Sequence, residues 1–296
     1  MGMPLTPNPE VTRVQWVRYK GYAGCKIDGR TPVSLPSTSL HMDRAFFLTA
    51  QLEAPRYGSV QSYDGAGLSG GPLHNIAVYP SSGTQGSLFA LLSRMELART
   101  PGFAMIALLD QYRARGWAIT SKGVLSEVQT GKPVTGADIL QELAPLRGVV
   151  PQTGPYWEQA RRWALLHHQV FSESALFDAQ KEYAINWLIQ GQQNTEELFY
   201  QRRPVRTMLV EKDISMAEDL ALCVYHAFSV NAPAIAQKIL LSAIKSKDFP
   251  KVLLGTFRAS TFANWQVRYD RTRAVALTSG LWPVALFTGP KAIFSP

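Results

Sequence analysis

The sequence predicts a mainly helical, mixed α+β fold, and three observations carry that reading. Apolar residues recur at spacings of three and four through most of the chain, which is the period of an amphipathic helix. One stretch, residues 57–74, alternates weakly instead and runs into the cluster Gly65-Ala66-Gly67-Leu68-Ser69-Gly70-Gly71, as a short hairpin does. Strand-like segments elsewhere are too few and too scattered for a doubly wound sheet. Hydrophobic residues make up 46% of the chain and charged residues 18%, which suits a chain with a buried core and excludes a disordered one. No apolar run approaches the roughly 20 residues that cross a bilayer, so membrane insertion is not expected.

In order, residues 1–42 are rich in Gly, Pro, Ser and Thr and read as an N-terminal arm packed on the body. Within them Val11-Thr12-Arg13-Val14-Gln15-Trp16-Val17 alternates as a short strand would. A first helix is expected from about Asp43, its N-cap, to Glu53. The hairpin of 57–74 follows. A second helix starts at Leu88 behind Ser87 and stops by Pro101. A third runs from Phe103 to Arg115, with Met105, Ile106, Leu108, Leu109 and Tyr112 inward and Gly116 as its stop. Thr120–Val134 reads as a loop or second small hairpin, and Thr135–Leu146 as a helix with Ile139, Leu140 and Leu143 on one face. Pro145, Gly148, Pro151 and Gly154 then mark an internal boundary. The expected division is 43–150 as a first lobe and 151–296 as a helical lobe completing the fold. In the latter, helices are expected over Tyr156–Phe171, Ala175–Ile189, Ser215–Phe228, Ala234–Ile244, Val252–Phe257 and Trp265–Leu277, with a turn at Gly191-Gln192-Gln193. Ser215 and Glu218 have capping-box spacing.

Lys and Arg total 30 against 22 Asp and Glu, a net charge of +8, which favours an anionic partner. The basic residues are scattered apart from Arg161-Arg162, Arg202-Arg203 and the Arg268–Arg273 segment, and no nucleic-acid-binding signature is present, so nucleic acid is not the expected partner. Cys25 lies in a glycine-rich stretch that reads as loop, and Cys223 on an apolar helical face. Whether the two pair is open. With no Cys/His ligand spacing, neither a metal nor a cofactor is expected. His167 and His168, adjacent on a helix, cannot share one ion and read as surface and groove residues, whereas His226 reads as core or groove. The segment Met1–Glu10 lacks the basic and apolar regions of a secretory signal.

The residues that point to chemistry surround the hairpin. Phe46, Ala50 and Glu53 fall on one side of the first helix, so Glu53 is expected at the edge of the core, where loss of water favours a protonated carboxyl able to donate a proton. Asp64, in a polar turn, is the second carboxylate. Ser69 is placed to hold a second reactant, and Gln61, Tyr63, His74 and Trp117 offer polar and aromatic contacts to a ligand. Trp157 and Trp265 are further stacking candidates. Each has a plainer reading: Glu53 as a solvated helix end, Asp64-Gly65 as an ordinary turn, Ser69 as loop, His74 as a tie from the hairpin to a neighbour, and most tryptophans as core.

This pattern of a helix ending in Glu53, then Asp64, then Gly67-Leu68-Ser69-Gly70-Gly71-Pro72-Leu73-His74, resembles the lysozyme-like glycoside hydrolases over about residues 43–110. The glycine segment resembles the G-x-T-x-G-x-G-H stretch of phage-type lysozymes, with Pro72 and Leu73 replacing a glycine-containing pair. The Arg268-Tyr269-Asp270-Arg271-Thr272 segment more loosely resembles their Arg-rich closing helix. The resemblance implies Glu53 as general acid and Ser69 in the place of the catalytic Thr, and leaves open whether Asp64, Tyr63 or Ser62 takes the Asp role. It implies a lysozyme-like helical domain with a small hairpin after the catalytic helix and an extended helical C-terminal half. The expected function is a muramidase acting on peptidoglycan glycan strands. It would be made in the cytoplasm without a signal peptide and act in the periplasm or wall after export or lysis, with an immunity protein or a component of a secretion or phage particle as partner. The alternatives are a lytic transglycosylase or chitosanase-like hydrolase, and a non-enzymatic helical structural or adaptor protein.

Overall fold

A computed structural model describes residues 13–37, 40–98, 102–146, 154–190, 199–200, 203–204, 214–262 and 264–294. The architecture is mixed α+β with helix dominant. Residues 11–12, the Gly191-Gln192-Gln193 turn, Arg202, Pro101 and most of the expected boundary after Pro145 lie outside the described residues.

In chain order, β1 (Gln15–Tyr19) and β2 (Tyr22–Ile27) form a hairpin, and β3 (Thr31–Pro32) leads to helix α1 (His41–Glu53). Strands β4 (Arg56–Tyr57), β5 (Val60–Asp64), β6 (Gly67–Gly70) and β7 (Asn75–Ile76) follow. Helices α2 (Ser87–Ala98) and α3 (Phe103–Ala114) precede the hairpin β8 (Trp117–Ile119) and β9 (Leu125–Glu127). Then come α4 (Gly136–Leu143), α5 (Pro155–Phe171), α6 (Phe177–Gln190), the short strands β10 (Phe199–Tyr200) and β11 (Arg203–Pro204), α7 (Met216–Ser229), α8 (Pro233–Ala243), α9 (Phe249–Ala259) and α10 (Trp265–Ser279). The expected capping box at Ser215 and Glu218 is formed at the start of α7. Gly116 and Gly280 close α3 and α10 in the left-handed region, at φ 74° and 70°.

The chain divides into two compact units that do not follow the 1–42, 43–150 and 151–296 division expected from composition. One unit takes the residues up to Thr31 together with Arg56–Gln180, and the other takes Pro32–Pro55 with Lys181–Pro296. The physical reason is the company of α1. Its apolar face, with Ala45, Phe46, Leu48 and Ala50 all buried, packs against α7 and α10 rather than against the hairpin that follows it in sequence. Leu40, not Asp43, is the N-cap of α1. Asp43 sits buried in the first turn and pairs with Lys181 Nζ at 2.6 Å.

The first unit is built on an antiparallel sheet of order β1-β2-β5-β6-β7, so the expected hairpin is the centre of a larger sheet. Cys25 is on β2, fully buried and unbridged, where a loop residue was expected. Two glycines are needed for this packing. A Cβ on Gly24 would lie 2.2 Å from the Ser62 carbonyl oxygen across the sheet, and Gly58 takes φ 85° while its carbonyl accepts from His168 Nδ1 at 2.6 Å. His168 and its neighbour His167 are buried, not at the surface as expected, because α5 is enclosed by α3, α4 and the sheet. Ile106, expected inward, is 46% exposed, while Met105, Leu108, Leu109 and Tyr112 form the buried face of α3. The second unit is a helical cluster of α1 and α7–α10, filled by aromatic contacts such as Phe228 against Phe257 and Trp265.

Candidate functional site

Glu53 ends α1, and the spacing from Phe46 and Ala50 places it where expected, at the margin of the core of the second unit. Its side chain is 13% exposed, so it is not a solvated helix end. Nor is it an acid left alone in an apolar pocket. Arg268 Nη2, from α10, donates to Glu53 Oε1 at 2.5 Å, and Asn231 Nδ2, just beyond α7, donates to the same oxygen at 3.1 Å. Arg268 is itself held by the Ala227 carbonyl and lies over the Phe228 ring at 5.8 Å. The carboxylate is therefore oriented by groups 215 and 178 positions away in sequence, a charge-assisted pairing rather than plain desolvation.

The hairpin residues lie in the first unit. Asp64 Oδ1 accepts from the Ala66 backbone N–H at 2.9 Å, and Oδ2 from Gln61 Nε2 at 3.0 Å. Both oxygens thus tie the β5–β6 turn, the role of an Asx turn. Gln61 is engaged in that same contact. Tyr63 is half-buried and meets Tyr19 edge-on at 6.3 Å. Burial, with the neighbouring Asp64 charge, raises its phenol above the ordinary value despite Lys26. Ser69 is fully buried in β6, between Gln61 and Ile76 in the ladder, and its hydroxyl has no hydrogen-bond partner among the described residues. That position is inside the sheet, not on an open loop. His74 is half-buried and takes φ 48°, beside Gly71 at φ 76°. The structure therefore brings Gln61, Asp64 and Ser69 together on one hairpin, while Glu53 belongs to the other unit.

Of the tryptophans, Trp265 is 1% exposed and serves the core, which removes it as a stacking surface. Trp157 packs edge-on against Trp16 at 5.4 Å. Trp117 is half-buried on β8 and lines an open cavity of about 430 Å3 in the first unit.

Two buried polar clusters were not foreseen as such. In the second unit, the Asp219 carboxylate receives Arg44 Nε at 2.9 Å and Nη2 at 2.8 Å, His41 Nδ1 at 2.8 Å and Trp282 Nε1 at 2.6 Å. Burial acts to raise this carboxyl, but the bonds from His41 and Arg44 outweigh it and hold it below the ordinary value. Cys223 Sγ lies 3.6 Å from the same His41 Nδ1, and the three side chains are close enough to consider a metal. They do not fit one. Both Asp219 oxygens are occupied, a guanidinium sits on the carboxylate, and burial keeps the Cys223 thiol well above its ordinary value and so protonated. Nor is this a nucleophile–base–acid relay, because Cys223 and Asp219 meet the same imidazole nitrogen. In the first unit, His167 Nδ1 donates to the Trp163 carbonyl at 2.8 Å, which leaves Nε2 to accept from Tyr112 Oη at 3.0 Å.

Arg268 is the residue that local reasoning undervalued. Its segment reads as a basic helix loosely like an Arg-rich closing helix, and the pairing with Glu53 was not legible because it needs α10 folded onto α1. No protein-family model, curated protein or solved structure matches the chain.

Proposed function

We propose that this chain cleaves the glycan backbone of peptidoglycan, with Glu53 donating the proton to the leaving glycosidic oxygen. The observation that carries the reading is the setting of Glu53: largely withdrawn from water, at the end of a buried helix, and aimed by Arg268 and Asn231. Exposed glutamates need no such long-range fixing. To act as an acid, Glu53 must take up a proton before the bond breaks, so the Arg268 contact has to loosen as substrate enters. Arg268 then remains as a cation able to hold the carboxylate once the proton has left. The net charge of +8 favours an anionic polymer over a cationic one.

The test is digestion of purified sacculi by the wild-type chain and by Glu53→Gln, with the released muropeptides identified by mass spectrometry. A drop of about 100-fold or more is expected for the loss of a general acid. Undiminished release by Glu53→Gln ends the proposal. Reducing ends indicate hydrolysis, whereas anhydro ends indicate transglycosylation.

A second reading is favoured by the same ion pair. Glu53 and Arg268 join α1 to α10 and could serve only to fasten the second unit of a structural protein. It predicts that the wild-type chain releases no muropeptides and that Glu53→Gln lowers the melting temperature.

A further inference from the structure

We propose that the 430 Å3 cavity of the first unit binds a small organic cation, a primary ammonium carried on a body that packs against aromatic rings. Its volume falls in the range of ligand sites, which run from about 300 to 1,000 Å3. Three elements each turn one face to it. On the β8–β9 hairpin, Trp117 and Glu127 are cross-strand partners. On α4, Asp138 and Glu142 are four residues apart with Gln141 between them, and on α5 Tyr156 stands one turn from Gln159. Tyr156 is 56% exposed although it lies against a cavity, so its phenol is available to a ligand.

The charge at the site selects the ligand. Three carboxylates line the cavity and no lysine or arginine does. Arg115, which bonds Glu142 at 2.8 Å, offsets one of them. The remaining balance is negative in a chain whose total is +8. The carboxylates are also held in place. Thr130 donates to Glu127 Oε2 and Thr135 to Asp138 Oδ2, each at 2.6 Å, and Glu142 is fixed by the Trp163 indole at 2.8 Å. Fixed acceptors beside the Trp117 and Tyr156 rings favour a cation and repel a carboxylate. Two sources of that chemistry are open to test, a de-N-acetylated amino sugar and a lysine-type side chain. The inference does not depend on Glu53, which belongs to the other unit.

Calorimetric titration of the full chain at low ionic strength tests it, with three probes: the glucosamine tetramer, the fully N-acetylated tetramer, and Nα-acetyl-lysine amide. At least one amine-bearing probe is expected to bind with a Kd of about 1 mM or tighter, and the acetylated tetramer to bind at least about tenfold more weakly. Binding of the glucosamine tetramer alone identifies an amino sugar, and binding of the lysine derivative identifies the ammonium itself. Tyr156→Ala, at an exposed position, is expected to weaken binding about tenfold. The near-isosteric double variant Glu127→Gln/Asp138→Asn is expected to abolish it with an unchanged circular dichroism spectrum. The inference is overturned if neither amine-bearing probe binds, if the acetylated tetramer binds equally, or if both variants bind like the wild type. Running the titrations on Glu53→Gln as well keeps this result separate from wall cleavage.

Discussion

Each unit buries a polar network around a histidine, and the two are built on opposite principles. In the first, Tyr112, His167 and the Trp163 carbonyl form a chain of neutral hydrogen bonds. In the second, Asp219 gathers a guanidinium, an imidazole and an indole around a buried negative charge. A neutral network that loses one member to a similar apolar group is left with one unpaired neutral group, at a cost of about 1–3 kcal/mol. A charged one leaves an uncompensated ion behind. The second unit therefore depends on a few residues far more sharply than the first, although both networks are buried.

The largest effect should come from Asp219→Ala. It strands Arg44 and His41, and a loss of about 3–5 kcal/mol is expected in denaturant unfolding. A loss under about 1 kcal/mol would mean that the charged cluster contributes no more than a neutral bond, and the contrast between the units would fail.

Acid offers the next test. Burial pulls the His167 imidazole down to about 4 from an ordinary 6.5, against the opposing bond to Trp163. Above pH 6.5 the residue is neutral folded or unfolded and its contribution is complete. As pH falls from 6.5 towards 4, the unfolded chain takes up a proton that the folded chain refuses, and about 3 kcal/mol is lost in total. His168 in the first unit and His226 in the second are shifted the same way by burial, so both units weaken over the start of this range. Asp219 differs in kind. Its carboxyl is held below the ordinary 3.8, so its stabilisation is intact above that value and is lost only as pH drops further. Hydrogen exchange read separately in α5 and α7 should show the His167 part of the response finished near pH 4 while the second unit goes on weakening. His167→Gln should reduce the response of α5, leaving the part due to His168, and leave that of α7 unchanged. An unchanged slope in that variant would show that His167 is not the group being titrated.

The smallest effect is expected from Tyr112→Phe. It removes the donor to His167 Nε2 and should cost about 1–3 kcal/mol, at the lower end if water reaches the site. A cost matching that of Asp219→Ala would erase the distinction between the two networks.

Much of the local structure was legible in the chain. The face of α1 with Phe46, Ala50 and Glu53, the capping box at Ser215, the stop at Gly116 and the hairpin of Val60–Gly70 all follow from interactions within a few residues. Local patterns misled where burial is decided at long range. His167 and His168 look like a polar pair on a helix, but a helix enclosed on several sides buries both. Ser69 reads as loop beside its glycines, but strand pairing on either side takes it into the sheet. Asp64 looked available for chemistry, and its two oxygens close a turn.

The sequence by itself determined the helical period, the caps and turns, the excess of positive charge and the position of Glu53 at the margin of an apolar face, because these depend on neighbours within one or two helical turns. Only the tertiary structure decided that Glu53 would meet Arg268, that α1 would leave the hairpin for the C-terminal helices, and that Trp117, Asp138 and Tyr156 would wall one cavity. Those outcomes depend on which faces find each other between elements far beyond one or two helical turns apart, and no local spacing encodes that choice.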